Sequence, residues 1–159
     1  MIDDLIVYRA ALQYALVFGT SAWAFARGDG PEKSVGLVLS GMIIAFQLAT
    51  WLLPASLTYG EVIPVYLAID LSVFIAFTPI AMRANRIYPL WLLAAQLIAL
   101  LMHFQRDLFP SIEPLAYYAL THGPSWVQTF AFLGGMIAHR RRLRRFGSYR
   151  SWKTSSVRS

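Results

Sequence analysis

Five long apolar stretches, at 5–26, 35–53, 62–82, 87–104 and 115–138, fill most of the 159 residues and are joined by short turns. A helix needs about 20 mostly apolar residues to cross a bilayer, and each stretch meets or approaches that length. None keeps enough polar positions to give it a wet face, as a helix of a soluble bundle requires. The chain is 57% hydrophobic and only 14% charged, too apolar for an ordinary soluble domain. The expected fold is therefore all-α: a polytopic bundle of five transmembrane helices within residues 1–138, followed by a basic tail over 139–159.

Charge orients this bundle. Lys and Arg accumulate in the short loops on the cytoplasmic side of a membrane. With five spans, the first loop, the third loop and the tail share one side. They carry Arg27 and Lys33, then Arg83 and Arg86, then Arg140, Arg141, Arg142, Arg144, Arg145, Arg150, Lys153 and Arg158. The other side has Arg106, while Arg9 lies inside the first span. The pattern predicts an N-terminus outside and a cytoplasmic C-terminus, with Asp3, Asp4, Glu61, Asp107 and Glu113 all outside. Met1-Ile2-Asp3-Asp4 lacks the cationic start of a secretory signal. The first stretch is thus expected to stay as a span.

The turns are of the usual composition: Gly28-Asp29-Gly30-Pro31, Pro54-Ala55-Ser56 and Pro110-Ser111. Within the fifth span, Pro124 removes one helical hydrogen bond and crowds the Leu120 carbonyl, so a kinked but complete span is expected, with a re-entrant first part as the alternative. Pro79 predicts a second kink. Gly36/Ser40, Ala131/Gly135 and Gly134/Ala138 follow the small-xxx-small spacing that lets helices approach closely.

Polar residues inside the spans are the candidate functional positions. An ionisable group at mid-bilayer costs roughly 3 kcal/mol on insertion scales and normally faces the bundle interior. Arg9 and Gln13 are four apart, hence on one helix face; Gln96 and His103 are two turns apart on another. Asp70 is the only acid well inside a span. With Gln47 and His122, these residues are expected to form one polar cluster in the outer half of the bundle, centred on Asp70. Arg9 or a histidine would supply the counter-charge. Such a cluster can fix helix packing, or it can hold an ion, a proton or a ligand. His103 and His122 also offer a pair of axial ligands for a haem, but no supporting pattern accompanies them. His103, Asp107, Glu113 and His122 follow no recognised metal-ligand spacing. No metal and no cofactor is expected.

Cysteine is absent, which excludes disulfides, thiolate metal sites and cysteine nucleophiles. The sequence has no G-x-S-x-G elbow, H-E-x-x-H helix, Walker A loop or dinucleotide fingerprint. A non-enzymatic role is expected. In the tail, Arg140, Arg141, Arg142, Arg144 and Arg145 are followed by Phe146, Tyr149 and Trp152. That mixture suits a segment lying on a membrane surface, where each basic residue attracts anionic phospholipids by about 1 kcal/mol. It also suits contact with an acidic partner. Nucleic acid is not an expected partner, because no folded platform accompanies the arginines. The Ser-rich end beyond Arg150 is expected to be loose.

Gly30-Pro31-Glu32-Lys33, Tyr66-Leu67-Ala68-Ile69-Asp70-Leu71, Arg86-Ile87-Tyr88-Pro89-Leu90-Trp91 and Pro114-Leu115-Ala116-Tyr117 resemble a group of small multi-span membrane proteins of alphaproteobacteria. The resemblance covers roughly residues 10–140 and implies a bacterial inner membrane, with no catalytic residues to carry over. The leading expectation is an accessory or scaffold subunit of a larger inner-membrane complex. Its partners would be the lipid bilayer, anionic phospholipids, and other membrane subunits or a second copy. A small transporter or proton/ion pathway centred on Asp70 is the main alternative, and a haem- or pigment-binding membrane protein the next.

Overall fold

The chain makes its first reversal at Gly28 and Asp29. The Gly28 N–H donates to the Ala24 carbonyl at 2.7 Å, and a Cβ on Gly28 would sit 2.6 Å from that same oxygen. A side chain cannot fit there. Asp29 then caps the next helix: its N–H donates to Glu32 Oε2 at 3.2 Å, the reciprocal half of a capping box.

The computed structural model describes residues 2–52, 64–104, 114–148 and 150–152, excepting the side chains of 2–7, 114–119 and 121. These residues form five α-helices and no strands: α1 (Ile2–Arg27), α2 (Gly30–Leu52), α3 (Pro64–Arg83), α4 (Tyr88–Met102) and α5 (Pro114–Phe146). Each expected apolar stretch falls on one helix. By length and composition α2 and α3 could cross a membrane, and α4 is a shorter apolar helix. Arg106, Glu61, Asp107, Glu113, Lys153, Arg158 and the two later Pro-containing turns lie outside the described residues.

Every helix packs on the next, and α5 returns to α1 and touches α2, closing the bundle. Val35, Leu39 and Ile43, spaced four apart, form a stripe on α2, facing Val17, Ala24, Val73, Phe77, Phe132 and Met136 in one core. Gly36 lets α1, α2 and α5 converge: its missing Cβ would lie 3.3 Å from Ser21 Cα and 3.4 Å from Phe132. Ser21 Oγ donates to the Gly36 carbonyl at 3.2 Å and accepts from Ser40 Oγ at 2.9 Å. Gly135 takes the Tyr88 ring of α4 in the same way. These two small-residue pairs thus pack within the chain.

Large apolar side chains face outward as well as inward, and several polar side chains are buried beside the apolar core. Leu12, Phe18, Leu37, Ile44, Ile75, Trp91, Ile98 and Phe130 are exposed, while Thr20, Ser21, Asp70, Gln96, Gln128 and Thr129 are buried. Aqueous folds bury the first kind and expose most of the second.

Helix α5 runs unbroken through Pro124. It also continues past residue 138 to Phe146, so the arginine run is the last two turns of a helix rather than a separate tail. Gly147 ends it in the left-handed region, φ +68°, with its N–H donating to the Leu143 carbonyl at 3.0 Å. This is a glycine C-cap. The chain then folds back. Asn85 N–H donates to the Ser151 carbonyl at 3.1 Å, Ala84 and Trp152 form an antiparallel bridge, and Ser151 Oγ donates to Asp29 Oδ2 at 2.8 Å. The expectation of a loose end beyond Arg150 is therefore corrected for Ser151 and Trp152, because three backbone and side-chain contacts hold them.

Gly30 is the seat of this return, since a Cβ there would meet the Trp152 indole Nε1 at 2.5 Å. Gly30→Val is expected to displace Trp152 and raise the rate of tryptic cleavage after Arg150 several-fold, read by mass. Unaltered cleavage would show that the docked segment does not depend on that contact.

Candidate functional site

A hydrogen-bonded chain crosses from α3 through α4 to α5. Asp70 occupies one face of α3 and is buried. Its Oδ1 and its backbone carbonyl accept from Gln96 Nε2 at 2.7 and 3.0 Å. Its Oδ2 lies 2.7 Å from His103 Nε2. Gln96 and His103 reach the same carboxylate because seven residues bring them to one face of α4, His103 being the C-cap of that helix. Gln96 Oε1 accepts from Gln128 Nε2 of α5 at 2.7 Å, and the same nitrogen approaches the Leu92 carbonyl at 3.5 Å.

Both carboxylate oxygens of Asp70 and both ends of the Gln96 amide are therefore engaged. A carboxylate against an imidazole can orient the ring and share a proton with it. Two amides relaying from that pair tie three helices at one level. Gln128 is not among the residues expected from the sequence to join the cluster; its spacing from His122 gives no sign that it meets Gln96.

Gln13 and Gln47 make their described bonds elsewhere. Gln13 Nε2 donates to Thr129 Oγ1 across the α1–α5 contact at 3.4 Å. Gln47 is exposed and accepts from Tyr14 OH at 3.3 Å. Arg9 lies near enough to His122 for their charges to interact. Asp70 thus takes His103 as its partner, and the single expected cluster is divided into separate contacts.

A second constellation sits at the opposite end, where Arg140, Arg141, Arg144 and Arg145 are exposed and Arg142 is half-buried. Glu32 is completely buried there, beside buried Arg86 and His139. Arg86 Nε donates to Glu32 Oε1 at 3.1 Å, and its Nη2 lies 3.9 Å from Asp29 Oδ2. Arg86 Nη1 donates to the carbonyls of Asn85 and Arg150, at 3.0 and 3.3 Å. His139 Nδ1 lies 3.8 Å from Glu32 Oε1. One guanidinium thus fastens the α1–α2 turn, the α3–α4 turn and the returning C-terminal segment.

Candidate ligand atoms of Asp29, Glu32 and His139 lie within 4.8 Å of one another. Arg86 already supplies the cation those carboxylates need, and a divalent ion would face its positive charge. The geometry is that of a buried ion-pair joint. Sequence reasoning used Arg86 for orientation and assigned His139 to the tail, so it did not find this joint. The available signal was Asp29-Gly30-Pro31-Glu32, the D-x-x-E form of a capping box.

No protein-family model, curated protein or solved structure matches this chain.

Proposed function

We propose that the chain is a five-span protein of a bacterial inner membrane, with the arginine end of α5 in the cytoplasm, and that it serves as a non-catalytic accessory subunit of a larger membrane complex. The observation that carries this reading is the exposed apolar surface: many Leu, Ile, Phe and Trp side chains stand on the outside, while hydrogen-bonded amides and acids lie inside beside the apolar core. Lipid tolerates such an exterior, whereas water penalises it by about 25 cal/mol per Å² of apolar surface. The Asp70 chain spends its polar groups on neighbouring helices, which favours helix fixation over chemistry.

A place for another subunit is available on the outer face. An apolar groove of about 500 Å³ runs between α2 and α3, lined in part by Gly41, Ala45, Ala68, Ser72 and Ala76. Small residues on both walls allow a neighbouring transmembrane helix to come close. Nothing lies within 4 Å of the absent Cβ of Gly41, so Gly41→Leu fills the groove without disturbing the chain's own packing. Mild extraction is expected to recover the protein with a large complex, and Gly41→Leu to release it as a folded monomer. A wild-type protein recovered alone would contradict the reading.

The 2.7 Å Asp70–His103 contact supports a second reading, a proton or ion pathway. It predicts flux into proteoliposomes that Asp70→Asn abolishes. Unchanged flux in that variant removes it.

A further inference from the structure

Beside the ion-pair joint, α1 and α5 diverge to leave a cleft of about 430 Å³ lined by Trp23, Ala26, Arg27, Met136, His139, Arg140 and Leu143. Arg27 comes from the last turn of α1 and Arg140 from the adjoining stretch of α5. Both are exposed. Met136 is fully buried, Trp23 half-buried, and Ala26 and Leu143 are exposed along the same opening. We propose that this cleft binds the headgroup of an anionic phospholipid, with Arg27 and Arg140 holding the phosphodiester and Trp23, Ala26 and Leu143 receiving the upper part of its acyl chains.

The chemistry of the lining selects that ligand. A guanidinium offers a planar fork of donors matched to phosphate oxygens. Indoles favour the depth where headgroups meet hydrocarbon. A free phosphate would use the two arginines and leave the apolar wall unoccupied, whereas phosphatidylethanolamine would bring an ammonium beside the two guanidiniums together with its phosphodiester. Basic clefts between helices at the cytoplasmic boundary are suited to anionic headgroups. Arg144 and Arg145 of α5 are absent from this lining and provide a control of equal charge.

The site rests on the membrane reading above. The full chain, reconstituted in nanodiscs of equal parts phosphatidylglycerol and phosphatidylethanolamine, is transferred to native mass spectrometry and the retained lipids are counted. Wild type is expected to keep phosphatidylglycerol preferentially. Arg27→Gln with Arg140→Gln is expected to lower that retention about tenfold, and Arg144→Gln with Arg145→Gln by less than about twofold. Arg27→Lys with Arg140→Lys should retain most of it, since the charge remains. Equal losses in the two Gln pairs, equal retention of phosphatidylethanolamine, or saturation by millimolar inorganic phosphate would each overturn the site. A photoactivatable phosphatidylglycerol should attach to wild type at Trp23 or Leu143, and attachment spread along the helices would also overturn it. A chain that fails to enter the nanodisc at all would contradict the membrane reading itself, which separates that failure from these.

Discussion

Arg86→Met is expected to destabilise the protein by about 3–5 kcal/mol, because it removes the cation from a buried pair and leaves Glu32 without its principal partner. Glu32 is completely enclosed, so water cannot replace the guanidinium without opening the turn. The same substitution frees the carbonyls of Asn85 and Arg150 and should loosen the returning segment. Unfolding in a mild micelle, followed by helical ellipticity, measures the loss. The cycle with Glu32→Leu makes the test specific. If the two side chains act on each other, the double variant should lose clearly less than the sum of the single ones. Additive losses would mean that the 3.1 Å contact contributes little.

Asp70→Leu is expected to cost about 1–3 kcal/mol, since Gln96 Nε2 and His103 Nε2 lose an acceptor in a buried setting. Asp70→Asn keeps an acceptor and should cost less. The discriminating observation is again coupling: Asp70→Leu with Gln96→Leu should lose less than the sum of the single losses, because both remove the one bond between their side chains. The bonds of Gln96 to the Asp70 carbonyl and to Gln128 go only with Gln96→Leu. The same unfolding assay reads both. A neutral Asp70→Leu variant would contradict the role of this chain of bonds in joining α3, α4 and α5.

The helices were legible because hydrophobic length and turn residues are local properties. The Gly28-Asp29 reversal falls where its composition says, and each apolar stretch became one helix. The seven-residue separation of Gln96 and His103 also gave their common face correctly. What it could not give was the partner across the bundle. Which helix lies opposite Asp70 depends on how α3, α4 and α5 pack, and nothing in the spacing of Arg9 or Gln47 distinguishes an inward from an outward face. Gln47 turned out to be on the exterior.

The joint around Glu32 was hidden for a different reason. Its members come from two turns, from α5 and from the segment after it, and the arginine run masked His139 among charges that orient a membrane protein. Gly147 carried the missing signal. A glycine after a helical run of basic residues marks a C-cap and a reversal, and that reversal brings Ser151 and Trp152 back onto Gly30 and Asn85.

The central claim is that the exposed apolar faces meet lipid. The cysteine-free sequence allows it to be tested with single cysteines at Ile44, Ile75 and Ser148, all geometrically exposed. Native membranes are treated with a water-soluble maleimide. Ser148→Cys is expected to label rapidly once the cytoplasmic side is opened, and Ile44→Cys and Ile75→Cys only after the membrane is dissolved in denaturing detergent. Equal labelling of all three in intact membranes or in an aqueous extract would place those helix faces in water and contradict the account.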